Sequence, residues 1–202
     1  MAQPNIKLYS AGYARSARCV WTLNELALPF ENIDAGKMIG SPQLREYHPQ
    51  AKLPAIVIDN EALFESAAIC TYLCDLAPEK NLIAKPGTLA RARHGQWTSF
   101  ALTEMEGYLW SNMKHNGFYP EDMQVPAVVP ANNHEISKAA EVFEQHFANY
   151  NYLVNDTFSV TDIIVGWTLN WARRMDQLND FEHIRNYVAR LHERPHCALN
   201  PE

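Results

Sequence analysis

The sequence predicts a small α/β domain followed by an all-helical domain. Three observations carry this. Strand-type and helix-type runs alternate over roughly the first 80 residues, and strand signals vanish after Thr88. Between them, residues 79–88 (EKNLIAKPGT) are polar and hold Pro86-Gly87, a strong breaker pair. The expected boundaries are residues 1–80 for the α/β domain, 81–88 for the linker and 89–202 for the helical domain.

Each element has a local cause. Ile6 to Tyr9 is a short apolar run closed off by Gly12, which reads as a strand. From Ser16 to Leu28, the apolar residues Cys19, Val20, Leu23, Leu26 and Ala27 recur at helical spacing. Pro29 ends that helix, because the residue before a proline disfavours helical dihedrals. Phe30 to Asp34 is a second strand. Ser41-Pro42 supplies a helix cap and a first-turn proline for a short helix before Pro49. Ala55 to Ile58 and Ala62 to Phe64 flank the turn signal Asp59-Asn60 and read as a hairpin. Ile69, Leu73 and Leu76 mark a helix ended by Pro78. The order predicts a βαβ unit with an added antiparallel hairpin.

The second half reads as helices only: one from about Leu89 to Asn112, one from Glu135, one from about Ser159 and one from Glu182 to Arg194. The stretch HNGFYPEDMQVPAVVPANN carries three prolines and is expected to be irregular. At Ser159-Val160-Thr161-Asp162 the sequence encodes a capping box with Asp in place of the usual Glu, and Phe158 and Ile163 stand where a hydrophobic staple would. We read this as a folding signal, and the apolar helix it opens as the centre of the second domain.

Composition narrows the function. Apolar residues make up 47% and charged residues 20%, so the chain has the content of a packed globular protein. The net charge of -6 comes with no basic stripe, which excludes ordinary nucleic-acid binding. No run approaches the ~18 apolar residues of a membrane span, and no secretory leader is visible at MAQPNIKLYS. The cysteines Cys19, Cys70, Cys74 and Cys197 form no C-x-x-C pair and read as reduced thiols of a cytoplasmic protein. The eight histidines show no ligand spacing, so no metal is expected.

Three segments should meet at the carboxyl ends of the first-domain strands, where open α/β sheets bind ligands. They are the turn Ser10 to Ser16, Lys52-Leu53-Pro54 before a strand, and Glu65-Ser66 opening a helix. Singly, each has an ordinary structural explanation. Together, with VWTLNELALPFE (Val20 to Glu31), YHPQAKLPAIVIDNEALFESAAICTYL (Tyr47 to Leu73) and SVTDI, the chain resembles the glutathione transferases of the cytosol along nearly its whole length. His48-Pro49, Lys52-Leu53-Pro54 and Glu65-Ser66 occupy the places of that family's glutathione-site core.

The resemblance implies a thioredoxin-like first domain and an all-α second domain, with glutathione as co-substrate and no other cofactor. It implies that Leu53, ahead of a cis Pro54, offers its backbone to the cysteinyl part of glutathione in the manner of an added strand. Glu65 would hold the γ-glutamyl ammonium, and Ser66, at a helix N-terminus, its carboxylate. Lys52, or Lys37, would lie near the glycyl carboxylate, and Arg15 near the sulfur. An ordinary thiol titrates near 8.5, and bringing it down two units takes roughly 2.7 kcal/mol of thiolate stabilisation. One hydroxyl must share that work, and three compete for it. Alignment back from VWTLNEL gives Tyr13, proximity to the helix start gives Ser16, and alignment from the first strand gives Tyr9.

The implied reaction is attack of glutathione thiolate on an apolar electrophile, a detoxifying conjugation, with Tyr108, Trp110 and Tyr119 as candidate lining residues. The implied assembly is a homodimer. Alternatives are another glutathione enzyme on this fold (isomerase, dehalogenase or peroxidase) or a non-enzymatic protein-binding member. Tyr13-Ala14-Arg15-Ser16 lacks the Ser-Ser-Cys run of the maleylacetoacetate isomerase subgroup and the cysteine of thiol-reducing members.

Overall fold

The computed structural model describes residues 4–12 and 14–200. The chain divides into two compact units. One runs to Lys85 and takes in the chain from Arg194; the other spans Pro86 to Glu193.

The first unit contains β1 (Ile6–Ser10), α1 (Ser16–Leu26), β2 (Glu31–Asp34), α2 (Pro42–Arg45), β3 (Ala55–Ile58), β4 (Glu61–Phe64) and α3 (Ser66–Leu76). This is the expected alternation. The strands form one sheet in the order β2-β1-β3-β4. β1 and β2 pair in parallel, as a crossover through α1 requires. β3 runs antiparallel to β1 and to β4. The β3–β4 turn has Asp59 and Asn60 at φ 48° and 75°, the positive dihedrals that match a tight hairpin to strand twist. The Ser41 hydroxyl accepts from the Leu44 N–H at 3.2 Å and starts α2.

Strand alternation divides the core. Tyr9 and Ala55 pack with Ala35, Leu44 and Ala51 on the α2 side of the sheet. Leu8 and Ile56 point to the other face, and they are fully buried, as are Leu23 of α1 and Ile69 and Leu73 of α3. The carboxyl-terminal segment is fastened to α1 by Arg194, which gives Nε and Nη2 to the two oxygens of Glu25, both at 3.0 Å. The indole of Trp21 also donates to Glu25, at 2.9 Å.

The second unit is built from α4 (Leu89–Ala101), α5 (Gly107–Met113), α6 (Val129–Phe147), α7 (Val160–Arg174) and α8 (Glu182–His192). The single helix expected from Leu89 to Asn112 contains a π-helical turn at Leu102–Glu106, and beyond α5 the chain leaves helical dihedrals at Asn116 and at Gly117, φ 131°. Helix α6 begins at Val129, ahead of the expected Glu135. Pro130 lies in its first turn, where a missing N–H breaks no intrahelical bond. Residues read as breakers there act as a helix start. Buried polar side chains pair off: His94 with Thr161, Glu106 with Thr168, Asn112 with Asn132.

The capping box at the start of α7 forms. One oxygen of Asp162 accepts the Ser159 N–H at 2.9 Å and the Ser159 hydroxyl at 2.8 Å. The other accepts the Leu153 N–H at 3.1 Å and the Tyr187 hydroxyl at 3.0 Å. Complete burial still outweighs these donors and pushes the Asp162 carboxyl up to about 6. A Cβ at Gly166 would lie 2.3 Å from the Leu191 Cδ1, so α7 and α8 pass close together here.

Candidate functional site

The sheet register places the segments singled out in the sequence side by side. Tyr9 pairs with Ala55, and Ala55 pairs with Phe64. One residue further along, Ser10, Pro54 and Glu65 therefore lie at the same end of three adjacent strands. From that end the chain enters α1 after β1, and α3 after β4.

The Leu53–Pro54 peptide bond is cis. Leu53 is half-buried, Pro54 buried and Lys52 exposed. Glu65 is exposed and has φ 72° and ψ 108°, a left-handed conformation that costs a non-glycine residue of order 1–3 kcal/mol. Its side chain does not cap α3. The first-turn N–H groups of that helix have no carbonyl four residues back to accept them. An anion at this point would meet oriented donors and the positive end of an 11-residue helix.

Ser66, the first residue of α3, is 4% exposed. Its hydroxyl accepts from Nη1 of Arg18 at 3.1 Å. Arg18 lies in α1 and is 1% exposed. Sequence reasoning missed this arginine, because the contact spans 48 positions and leaves no local signal. Beside the pair, the Cys19 and Cys70 sulfurs stand 4.0 Å apart and fully buried. The Thr22 hydroxyl donates to the Arg18 carbonyl at 2.8 Å.

His48, 7% exposed, stacks at a tilt on Phe64 with ring centroids 5.1 Å apart. Burial lowers its affinity for a proton; Lys52 lowers it further, while Glu65 acts in the opposite direction. Both charged side chains are thus electrostatic neighbours of the same imidazole.

The three candidate hydroxyls part company. Tyr13 lies outside the described residues. Ser16 is 1% exposed, and its oxygen accepts the Ala11 N–H at 3.2 Å, which ties the β1–α1 loop to the helix start. Tyr9 is buried beneath α2 and stacks on Tyr47 with centroids 4.6 Å apart. Burial, then a hydrogen bond with Tyr47, pushes its phenol up to about 12. Arg15 is half-buried at the N-cap of α1, and Lys37 is exposed in a 3₁₀ turn. In the helical unit, Trp110 packs edge-on against Phe118 and lies 6.5 Å from Trp171, while Tyr119 meets His115 and Lys114.

Two family models match the chain: the glutathione S-transferase N-terminal domain over residues 8–81, and the glutathione S-transferase C-terminal domain over residues 100–195. The chain belongs to the glutathione S-transferase family. Its fold is the thioredoxin-like domain and helical domain of that family. Glutathione S-transferase GstA of Escherichia coli O157:H7 is 25% identical over 161 residues, 77% of this chain and 76% of that protein. Disulfide-bond oxidoreductase YfcG of Escherichia coli K12 is 27% identical over 203 residues, 94% and 91% of the two chains. The crystal structure of a glutathione transferase from Methylococcus capsulatus superposes with a TM-score of 0.81 at 27% identity, covering 95% of each chain. Relatives at this distance include both a transferase and a disulfide oxidoreductase, so family membership leaves the reaction open.

Proposed function

We propose that this family member is a glutathione transferase that joins the glutathione thiolate to an apolar electrophile. The observation that carries the reading is the alignment of Pro54, Glu65 and the α3 N-terminus at one end of the sheet. Leu53 supplies backbone groups to the cysteinyl part, Glu65 takes the γ-glutamyl ammonium and Ser66 its carboxylate. Lys52 faces the glycyl carboxylate, and Arg15 adds positive charge near the sulfur. Tyr13 is the proposed thiolate donor. Support comes from the other two hydroxyls, since Ser16 is engaged by the Ala11 backbone and Tyr9 by Tyr47. The reading extends to a cytoplasmic homodimer that detoxifies electrophiles.

Titration with glutathione, followed by a conjugation assay with a chlorodinitrobenzene, tests the reading. Binding with conjugation supports it. No binding at millimolar glutathione overturns it. The relationship to YfcG favours one second reading, glutathione-dependent disulfide reduction. Binding without conjugation, together with reduction of hydroxyethyl disulfide, would select it. Light scattering at micromolar concentration checks the dimer.

A further inference from the structure

We propose that Arg18 is a positioning residue that turns the Ser66 hydroxyl into a dedicated donor for an anionic ligand group. The inference rests on the reading of Ser66 as the contact of the γ-glutamyl carboxylate. A guanidinium has donors and no acceptor, so the 3.1 Å bond fixes the Ser66 oxygen as acceptor toward Arg18. The one proton of the hydroxyl is then free to be donated elsewhere. A free serine hydroxyl can present either lone pairs or its proton, and would serve an ammonium as readily as a carboxylate. Here the Arg18 bond occupies one of the two lone pairs and sets a cation behind the oxygen, which favours donation to an anion over acceptance from an ammonium.

The setting strengthens the effect. Arg18 and Ser66 are 1% and 4% exposed, so water screens the guanidinium weakly. The first turn of α3 adds its positive end to the same point. The arginine is packed between α1 and α3, with Cys19 against Cys70 on one side and Thr22 bonded to its own carbonyl. The hydrogen bonds therefore run in one direction, from Arg18 to Ser66 to the ligand carboxylate, and each donor is polarised by the one behind it.

The test compares two ligands by calorimetry: glutathione, and its analogue with the γ-glutamyl α-carboxylate converted to an amide. The proteins are wild type, Ser66→Ala, Arg18→Gln and the double variant, each checked for folding by circular dichroism. Arg18→Gln is expected to weaken glutathione about tenfold and the amide analogue less than about twofold. In the Ser66→Ala background, Arg18→Gln should change glutathione affinity by less than about twofold, because the path is already cut. Arg18→Lys keeps the charge but not the fork, and should restore part of the preference for glutathione; it carries the comparison if Arg18→Gln does not fold. Equal losses for both ligands, or wild-type affinity in the Arg18 variants, overturn the proposal. Wild-type affinity in Ser66→Ala overturns the reading of Ser66 itself. Loss in Ser66→Ala beside unchanged Arg18 variants overturns the arginine's role alone.

Discussion

Two helix starts in this molecule solve the same problem in opposite ways. Every helix presents unpaired N–H groups and a positive end at its first turn. At α7 the chain answers from within: Asp162 takes the Ser159 N–H, the Ser159 hydroxyl, the Leu153 N–H and the Tyr187 hydroxyl. The negative charge at this positive end comes from the chain itself, and the Asp162 N–H bonds the Ser159 carbonyl at 3.0 Å. At α3 the residue in the capping position, Glu65, holds a left-handed conformation and does not cap. The first side chain of the helix, Ser66, is backed by the buried Arg18 cation. The guanidinium adds positive character beside that first turn, and the Glu65 carboxylate makes no capping bond to it. A helix start that carries its own carboxylate serves stability, and one whose capping position makes no side-chain bond is available for binding.

The contrast breaks most visibly at Asp162. Asp162→Asn retains one acceptor oxygen and puts an amide donor against buried donors. We expect a loss of about 3 kcal/mol or more in urea unfolding, since each unsatisfied buried group costs about 1–3 kcal/mol. The glutathione affinity of the folded variant should match wild type. A loss below 1 kcal/mol would remove the capping box from its structural role.

A pH series sharpens the same point. The Asp162 carboxyl sits at about 6 in the folded chain against 3.8 ordinarily. The folded state therefore holds this proton more tightly than the unfolded state. Its contribution is fully present below the unfolded value and is lost as pH rises through about 4 to 6, a change of ~3 kcal/mol. Asp162→Asn should flatten this part of the stability profile. An identical slope in wild type and variant would contradict the assignment.

The smaller effects fall at the proposed thiolate donor. Tyr13→Phe should leave glutathione binding in place and raise the pKa of the bound thiol by about one to two units. Turnover at neutral pH should fall in proportion and recover at higher pH. Tyr9→Phe should leave the thiol titration unmoved, because that hydroxyl is spent on Tyr47. Thiolate absorbance against pH reads both. A shift from Tyr9→Phe with none from Tyr13→Phe would reverse the assignment.

What the sequence disclosed follows from how far each signal reaches along the chain. The capping box spans four residues, and the β3–β4 turn is written in Asp59-Asn60, so both were legible. Helix α1 was legible from its periodicity. The π turn at Leu102–Glu106 disturbs a helical pattern without ending it, so it read as continuous helix, whereas the break at Asn116 and Gly117 fell in the stretch read as irregular. Pro130 misled because proline stops a helix interior but suits a first turn. At the candidate site, the residues adjoining strands were visible as short motifs, whereas Arg18 was not. Its significance depends on packing between α1 and α3, which no window around residue 18 contains.

The central claim is that the start of α3 is a ligand site for the γ-glutamyl end of glutathione. Calorimetric titration of wild type and Ser66→Ala with glutathione tests it most directly. The account predicts one saturable site per chain in wild type. Affinity in Ser66→Ala should be weaker by ~tenfold or more, the loss of a bond to a charged group. Equal affinities in the two proteins, or no binding to either at millimolar glutathione, would contradict it.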